Sequence, residues 1–166
     1  MNYRRLFIQN GFIFLTIVTH KRIPILIENI EILYKIFQNV KNYYNFELIA
    51  YIIMPDHMHC IIKPENVEDY PKIVKSFKYG FTKNVGLVKP TYNRIWQNRY
   101  WEHTIKNEED LYKHIDYIHY NSIKHYDISP KDWKYSSFKN FVDMGLYEND
   151  WCNFGDKYDI INLNYE

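Results

Sequence analysis

Apolar and polar positions pattern the chain into short blocks on either side of a Pro-Asp step. Phe46 to Met54 is an apolar run of strand length, Pro55-Asp56 is a turn, and His57 to Lys63 leaves it as a second strand. So short a connection predicts an antiparallel hairpin. Upstream, Phe12 to Thr19 is dense in β-branched and aromatic residues and reads as a first strand; His20 to Pro24 is a loop. From Ile27 to Asn42, Ile30, Leu33, Tyr34, Phe37 and Val40 recur at helical spacing. After a loop at Pro64 to Asp69, a second helix runs over Tyr70 to Asn84 with Ile73, Val74, Phe77 and Phe81 on one side, and Gly86 to Asn93, with Pro90, breaks it.

Tyr100 to Ile105 reads as a fourth strand. Asn107 then offers an N-cap, and the acids after it favour the positive end of a helix dipole. Leu111, Ile115, Ile118 and Ser122 lie at i, i+4, i+7 and i+11, a narrow stripe for packing. Trp133 to Phe138 suggests a short turn-rich or helical piece, and the acidic end after Met144 has too little periodicity to assign. The order β-α-β-β-α-β is the ferredoxin-like (RRM-like) split βαβ pattern. It predicts an α+β fold: a four-stranded antiparallel sheet with two helices on one face, plus an added C-terminal helix bearing Tyr117. One domain over residues 1–166 accommodates this, with the core at about 10–140 and a tail at about 141–166.

Strand alternation sends His57, His59 and Ile61 to one face and Met58, Cys60 and Ile62 to the other. Two imidazoles one pleat apart can share a divalent cation, or can be half-buried histidines bonded to backbone and water. Tyr117 and Asn121 are one helical turn apart on the flank of the apolar stripe, with His114 and Lys124 beside them. A phenol, an amide and an imidazole there suit boundary packing as well as a site facing the two histidines.

Three ordered stretches, "AYIIMPDHMHCII", "WQNRYWEHTIKNEEDLYKHIDYIHYNSIKH" and "DWKYSSF", resemble the REP-associated tyrosine transposases of the single-tyrosine HUH superfamily. The likeness runs from Phe12 to Phe138. It implies metal-dependent cleavage and strand transfer on single-stranded DNA through a 5′-phosphotyrosine, in DNA transposition or a domesticated relative of it. On this resemblance His57 and His59 are metal ligands, Tyr117 is the nucleophile, and Asn121 fills the third ligand position. The cofactor implied is Mg²⁺ or Mn²⁺, and the partner is single-stranded DNA with a hairpin. The enzyme is a monomer or a homodimer. One departure is visible: the family often has Asn-Pro where this chain has Asn121-Ser122, which allows the helix to run on. His114 and His119 are expected at the surface or behind the ligands, Glu102-His103 near the site, and Asp56 in the turn.

Charge sharpens the picture in one place. Lysine plus arginine number 21 and aspartate plus glutamate 20, so the whole chain advertises no polyanion partner. Between Pro71 and Trp101, however, seven basic residues stand with no acid among them, and a balanced total can hide a basic face. The DNA-contacting candidates are Arg4, Arg5, Lys75, Lys78, Lys83, Arg94, Trp96 and Arg99, with Trp101 continuing the alternation of cations and aromatics. Cys60 and Cys152 make neither a disulfide framework nor a metal knuckle. The chain shows no leader and no apolar run of about 18 residues, so a cytoplasmic, nucleoid-associated bacterial or archaeal protein without membrane contact is expected. Two other functions fit the pattern: an RRM-like nucleic-acid-binding module, and a metal-dependent hydrolase using water.

Overall fold

The structure, a computed structural model, describes residues 8–88 and 93–152. Four strands, β1 (Ile13–Val18), β2 (Phe46–Ile53), β3 (His57–Pro64) and β4 (Trp101–Thr104), form one antiparallel sheet in the order β2-β3-β1-β4. Helices α1 (Ile30–Tyr44) and α2 (Tyr70–Val88) connect them in the split βαβ manner, and α3 (Glu108–Tyr126) follows β4. The chain therefore has the expected α+β ferredoxin-like architecture with an added helix.

Both faces of the sheet are covered, which is why β1 is buried along its whole length. Ile13, Leu15 and Ile17 of β1 join Met58, Cys60 and Ile62 of β3 against Leu33, Ile36 and Val40 of α1 and Ile73, Val74, Phe77 and Phe81 of α2. The opposite face presents Phe14, Ala50, Ile52 and Ile61 to Ile115, Tyr117 and Ile118 of α3. Each buried Leu, Ile or Phe contributes about 1.5–3 kcal/mol of transfer free energy, so the narrow stripe on α3 suffices to seat that helix. Where α1 and α2 meet, Gly80 is required: a Cβ there would lie 2.9 Å from Ile36 Cγ2.

Register decides which side chains reach the α3 face. β2 shifts by one residue between Leu48 and Ala50 against β3. That bulge leaves Leu48 and Tyr51 both toward α1, and turns Ala50 and Ile52 toward α3. It completes a cross-strand row of Ile52, His59, Thr16 and Trp101 on one face.

Boundaries depart from expectation in two places. Helix α2 continues to Val88 through the expected break at Gly86, and residues 27–29 form a 3-10 turn ahead of α1. Residues 133–137 form a strap that takes the turn-rich of the two expected forms, with bends at 135 and 137 around an isolated bridge from Ser136 to Ile52. Ile53 N–H donates to Tyr135 O at 2.8 Å and Ser137 N–H to Tyr51 O at 2.9 Å, so the strap covers the β2 edge before α4 (Phe138–Asp143) closes the end. Finally, α3 does run on past Ser122, to an αL C-cap at Asp127. Its last turns carry Lys124 and His125.

Candidate active site

The two histidines of β3 are buried on the α3 face, at 1% exposure for His57 and 0% for His59. Each ring is oriented through Nδ1. His57 Nδ1 lies 2.6 Å from Asp56 Oδ1, and Arg22 holds the other carboxylate oxygen at 3.2 Å. Burial raises the Asp56 pKa, but its bonds to His57 and Arg22 outweigh that and hold the carboxyl below its ordinary value. Asp56 is thus more than a turn residue: it fixes the neighbouring imidazole. His59 Nδ1 lies 2.8 Å from Thr16 Oγ1 across the β1–β3 ladder. His57 Nδ1 faces a carboxylate and so carries the proton, leaving Nε2 as that ring's acceptor; Thr16 Oγ1 is able to accept from His59 Nδ1 in the same tautomer, the one that suits metal ligation. The two ring centroids are 5.1 Å apart.

Helix α3 brings Tyr117 down onto this pair. Its ring packs edge-on at 5.2 Å from His59, with Phe14 at 6.1 Å. Lys124, two turns later on the same flank, donates to the Tyr117 hydroxyl at 3.2 Å and sits 5.1 Å from the ring centroid. A cation so placed favours negative charge on that oxygen. His125, reached because the helix does not stop at Ser122, lies 4.9 Å from His57. Asn121 is fully buried one turn after Tyr117; its amide donates to Tyr117 O at 2.7 Å, while Oδ1 is buried with no hydrogen-bond partner among the described residues. A buried, orphaned carbonyl-type oxygen costs about 1–3 kcal/mol, and a divalent cation would satisfy it. Two imidazole nitrogens and an amide oxygen could hold a divalent cation, and the imidazoles suit Mn²⁺ better than Mg²⁺.

A second cluster stands beside the first. His103 Nε2 and Asp110 Oδ2 are 2.8 Å apart, Asp110 Oδ1 is 3.2 Å from His114 Nδ1, and His114 Nδ1 also bonds Asp110 O at 2.7 Å. These donor types fall within 4.8 Å of one another, as a metal group requires. The two rings, however, are stacked 4.7 Å apart at 11°. Lone pairs lie in the ring plane, so near-parallel rings aim theirs along parallel planes and not at one point. As arranged the trio is a hydrogen-bonded clasp joining β4 to the first turn of α3, where Asp110 also accepts from Lys106 N–H at 2.9 Å.

Burial raises the Asp110 pKa, but the bonds from His103 and Lys106 win and hold the carboxyl below its unfolded value of 3.8. A carboxyl so shifted stabilises the fold fully above its unfolded pKa, and the contribution is lost as pH falls through the folded value. Asp110→Asn is expected to cost about 1–2 kcal/mol near neutrality. In urea titrations the gap between wild type and variant should close as pH drops below 3.8. A gap independent of pH would show that the charge is not what holds the clasp.

Other expected positions resolve differently. His114 and His119 are buried at 1% and 0%, not surface groups. His119 bonds Ser137 at 2.8 Å, pinning α3 to the strap, and burial pushes its pKa down to about 3. Trp96, expected among the DNA contacts, sits in the core: it is 5% exposed, packs on Phe77 and Phe81, and donates from its indole to Lys78 O at 3.1 Å. Lys75, Lys78 and Lys83 lie on α2, across the sheet from Tyr117, and Lys78 is committed to Gln97 O at 2.6 Å. Arg94 and Arg99 are exposed, with Arg94 Nε bonded to Trp96 O at 3.0 Å. Arg4 and Arg5 lie outside the described residues. Thr16, Asp56, Lys124 and His125 are additions. Only Lys124 carried a signal, its spacing of seven from Tyr117; Thr16 depends on the β1–β3 register.

The family described as "Transposase IS200 like" matches residues 9–121. Over 153 residues the chain is 37% identical to the REP-associated tyrosine transposase of Escherichia coli K12, covering 90% of each chain. A solved structure of a REP-associated tyrosine transposase bound to a REP hairpin superposes with a TM-score of 0.86 at 34% identity, covering 99% of this chain and 96% of that one. The chain accordingly belongs to the IS200-like transposases, and within them to the REP-associated tyrosine transposases, enzymes that act on DNA.

Proposed function

We propose that this chain cleaves and rejoins single-stranded DNA beside a hairpin, with Tyr117 as nucleophile and a divalent cation held by His57, His59 and Asn121. The observation that carries the reading is the packing of Tyr117 on His59 with the Lys124 ammonium at its hydroxyl. The hairpin bound by the solved relative supports the substrate class. Tyr117 meets His59 of its own chain, which supports a site complete in one copy.

Tyr117 Oη attacks the phosphorus, the bond from phosphorus to the 3′ oxygen breaks, and that oxygen leaves as a hydroxyl after taking a proton. The 5′ phosphate stays on the tyrosine, and because phosphodiester energy is retained, a second 3′-hydroxyl can displace the phenol and restore a strand. Lys124 stabilises negative charge on the phenol oxygen during both transfers, since a phenol of pKa about 10 is a poor nucleophile when neutral. A bound divalent cation supplies Lewis-acid polarisation of the scissile phosphate. Tyr117 is fully buried.

The test uses a labelled single-stranded hairpin oligonucleotide from the flanking host sequence, incubated with Mn²⁺ and run on a denaturing gel. A shifted, SDS-resistant band carrying the label of the 5′ end generated by cleavage supports the reading. Cleavage with no adduct would instead favour hydrolysis by water, and binding with neither product a non-catalytic module.

A further inference from the structure

The turn that carries Asp56 is gripped from outside its own hairpin. Just past β1, Thr19 N–H donates to Asp56 O at 2.9 Å, and Leu26 N–H donates to Pro55 O at 2.9 Å. Between those two anchors the chain makes a tight 3-10 turn over His20–Arg22. Lys21 and Arg22 take the left-handed conformation there, with φ of 52° and 53°. They are the one adjacent pair of non-glycine residues with positive φ among the described residues. Residues with a Cβ avoid that region, and such a conformation persists where the surroundings over-determine it, often beside a functional site.

What the strained turn delivers is a guanidinium. Arg22 Nη1 lies 3.2 Å from Asp56 Oδ2, while Asp56 Oδ1 lies 2.6 Å from His57 Nδ1. One carboxylate therefore offers an oxygen to each neighbour, and turning its plane would break one contact or the other. The Asp56 side chain is 19% exposed and that of Arg22 44%, so the arginine closes this relay on the solvent side. A carboxylate behind an imidazole fixes its tautomer and ring direction and makes the far nitrogen a better metal ligand.

We infer that Arg22 is a positioning residue for the metal centre. It holds the Asp56 carboxylate, and through it the His57 ring, so that Nε2 stays the ligating nitrogen in one fixed direction. This rests on the reading of His57 as a metal ligand given above. The sign of the effect separates this role from simple electrostatics. A guanidinium repels a nearby cation, so its charge alone predicts that removing it tightens metal binding. Orientation predicts the reverse.

The test combines two readouts on the whole chain. In calorimetric titration with Mn²⁺ alone, Asp56→Ala is expected to weaken binding about ten- to hundredfold and Arg22→Ala about tenfold. Because Arg22 acts through Asp56, adding Arg22→Ala to Asp56→Ala should change affinity by less than about twofold. Nitrogen NMR of the metal-free protein reads the ring itself. His57 should be the Nδ1–H tautomer in the parent, a mixture of tautomers in both alanine variants, and largely Nδ1–H again in Arg22→Lys. His59, held by Thr16, is the internal reference: a general loosening of the fold would move it, and this relay should not. An Arg22→Ala protein that binds Mn²⁺ as tightly as the parent, or more tightly, would overturn the proposal. So would an undiminished loss on top of Asp56→Ala, or a His57 tautomer that ignores both changes. A parent that binds no Mn²⁺ would overturn the metal reading instead, and the tautomer measurement would still decide the relay.

Discussion

Tyr117→Phe is expected to abolish the covalent protein–DNA band and to lower strand cleavage by about a thousandfold or more. The variant removes only the oxygen that would carry the phosphate. The ring that packs on His59 and Phe14 stays, so the core around it should keep its shape. Losing the 3.2 Å bond from Lys124 should cost about 1 kcal/mol of stability. Folding, followed by urea denaturation, and hairpin affinity should therefore remain close to wild type while cleavage disappears. An adduct that survives would move the nucleophile elsewhere, and Tyr120 is the nearest alternative on α3. Tyr120 is a weak rival, since it lies three residues on, and it is Tyr117 whose ring packs on His59.

The paired change His57→Ala/His59→Ala should remove metal-supported cleavage, a loss of at least about a hundredfold, while leaving hairpin binding within a few fold. Chelation should silence the wild type and added Mn²⁺ should rescue it, and the double variant should not respond to either. Calorimetric titration with Mn²⁺ alone gives a readout free of catalysis: heat in the wild type, and none in the variant. If the variant still binds Mn²⁺ with wild-type affinity, the ion sits elsewhere. The His103, Asp110 and His114 trio would then be the place to look, once its stacked rings reorient. Removing two rings oriented by Asp56 and Thr16 leaves a void and unpaired partners, so thermal unfolding belongs beside the activity data.

Much of this architecture was legible before any coordinates. Period-two and period-3.6 patterning distinguished strands from helices, and the alternation in β3 put His57 and His59 opposite Met58 and Cys60, the division the two packed faces display. Asn107 caps α3 as its sequence context requires, accepting from Asp110 N–H at 2.8 Å. Patterning failed where a segment has no periodic face of its own. The strap at 133–137 docks on β2 because that edge offers it backbone partners, and nothing within six residues announces a distant edge.

The site divides along the same line. By itself the sequence determined that two imidazoles share a strand face, that a phenol and an amide share a helix flank, and that a basic run precedes them. These are properties of neighbours along the chain, where bond geometry sets direction. Only the tertiary structure decided which of them meet. It seated α3 on the histidine face through Ile115 and Ile118, and used a bulge in β2 to align Ile52 with His59. It placed Thr16 and Asp56 behind the two rings. It also sent the α2 lysines to the far side of the sheet, buried Trp96 and left Trp101 at the rim. Register and packing set those outcomes, because a side chain's exposure depends on what the rest of the chain lays over it.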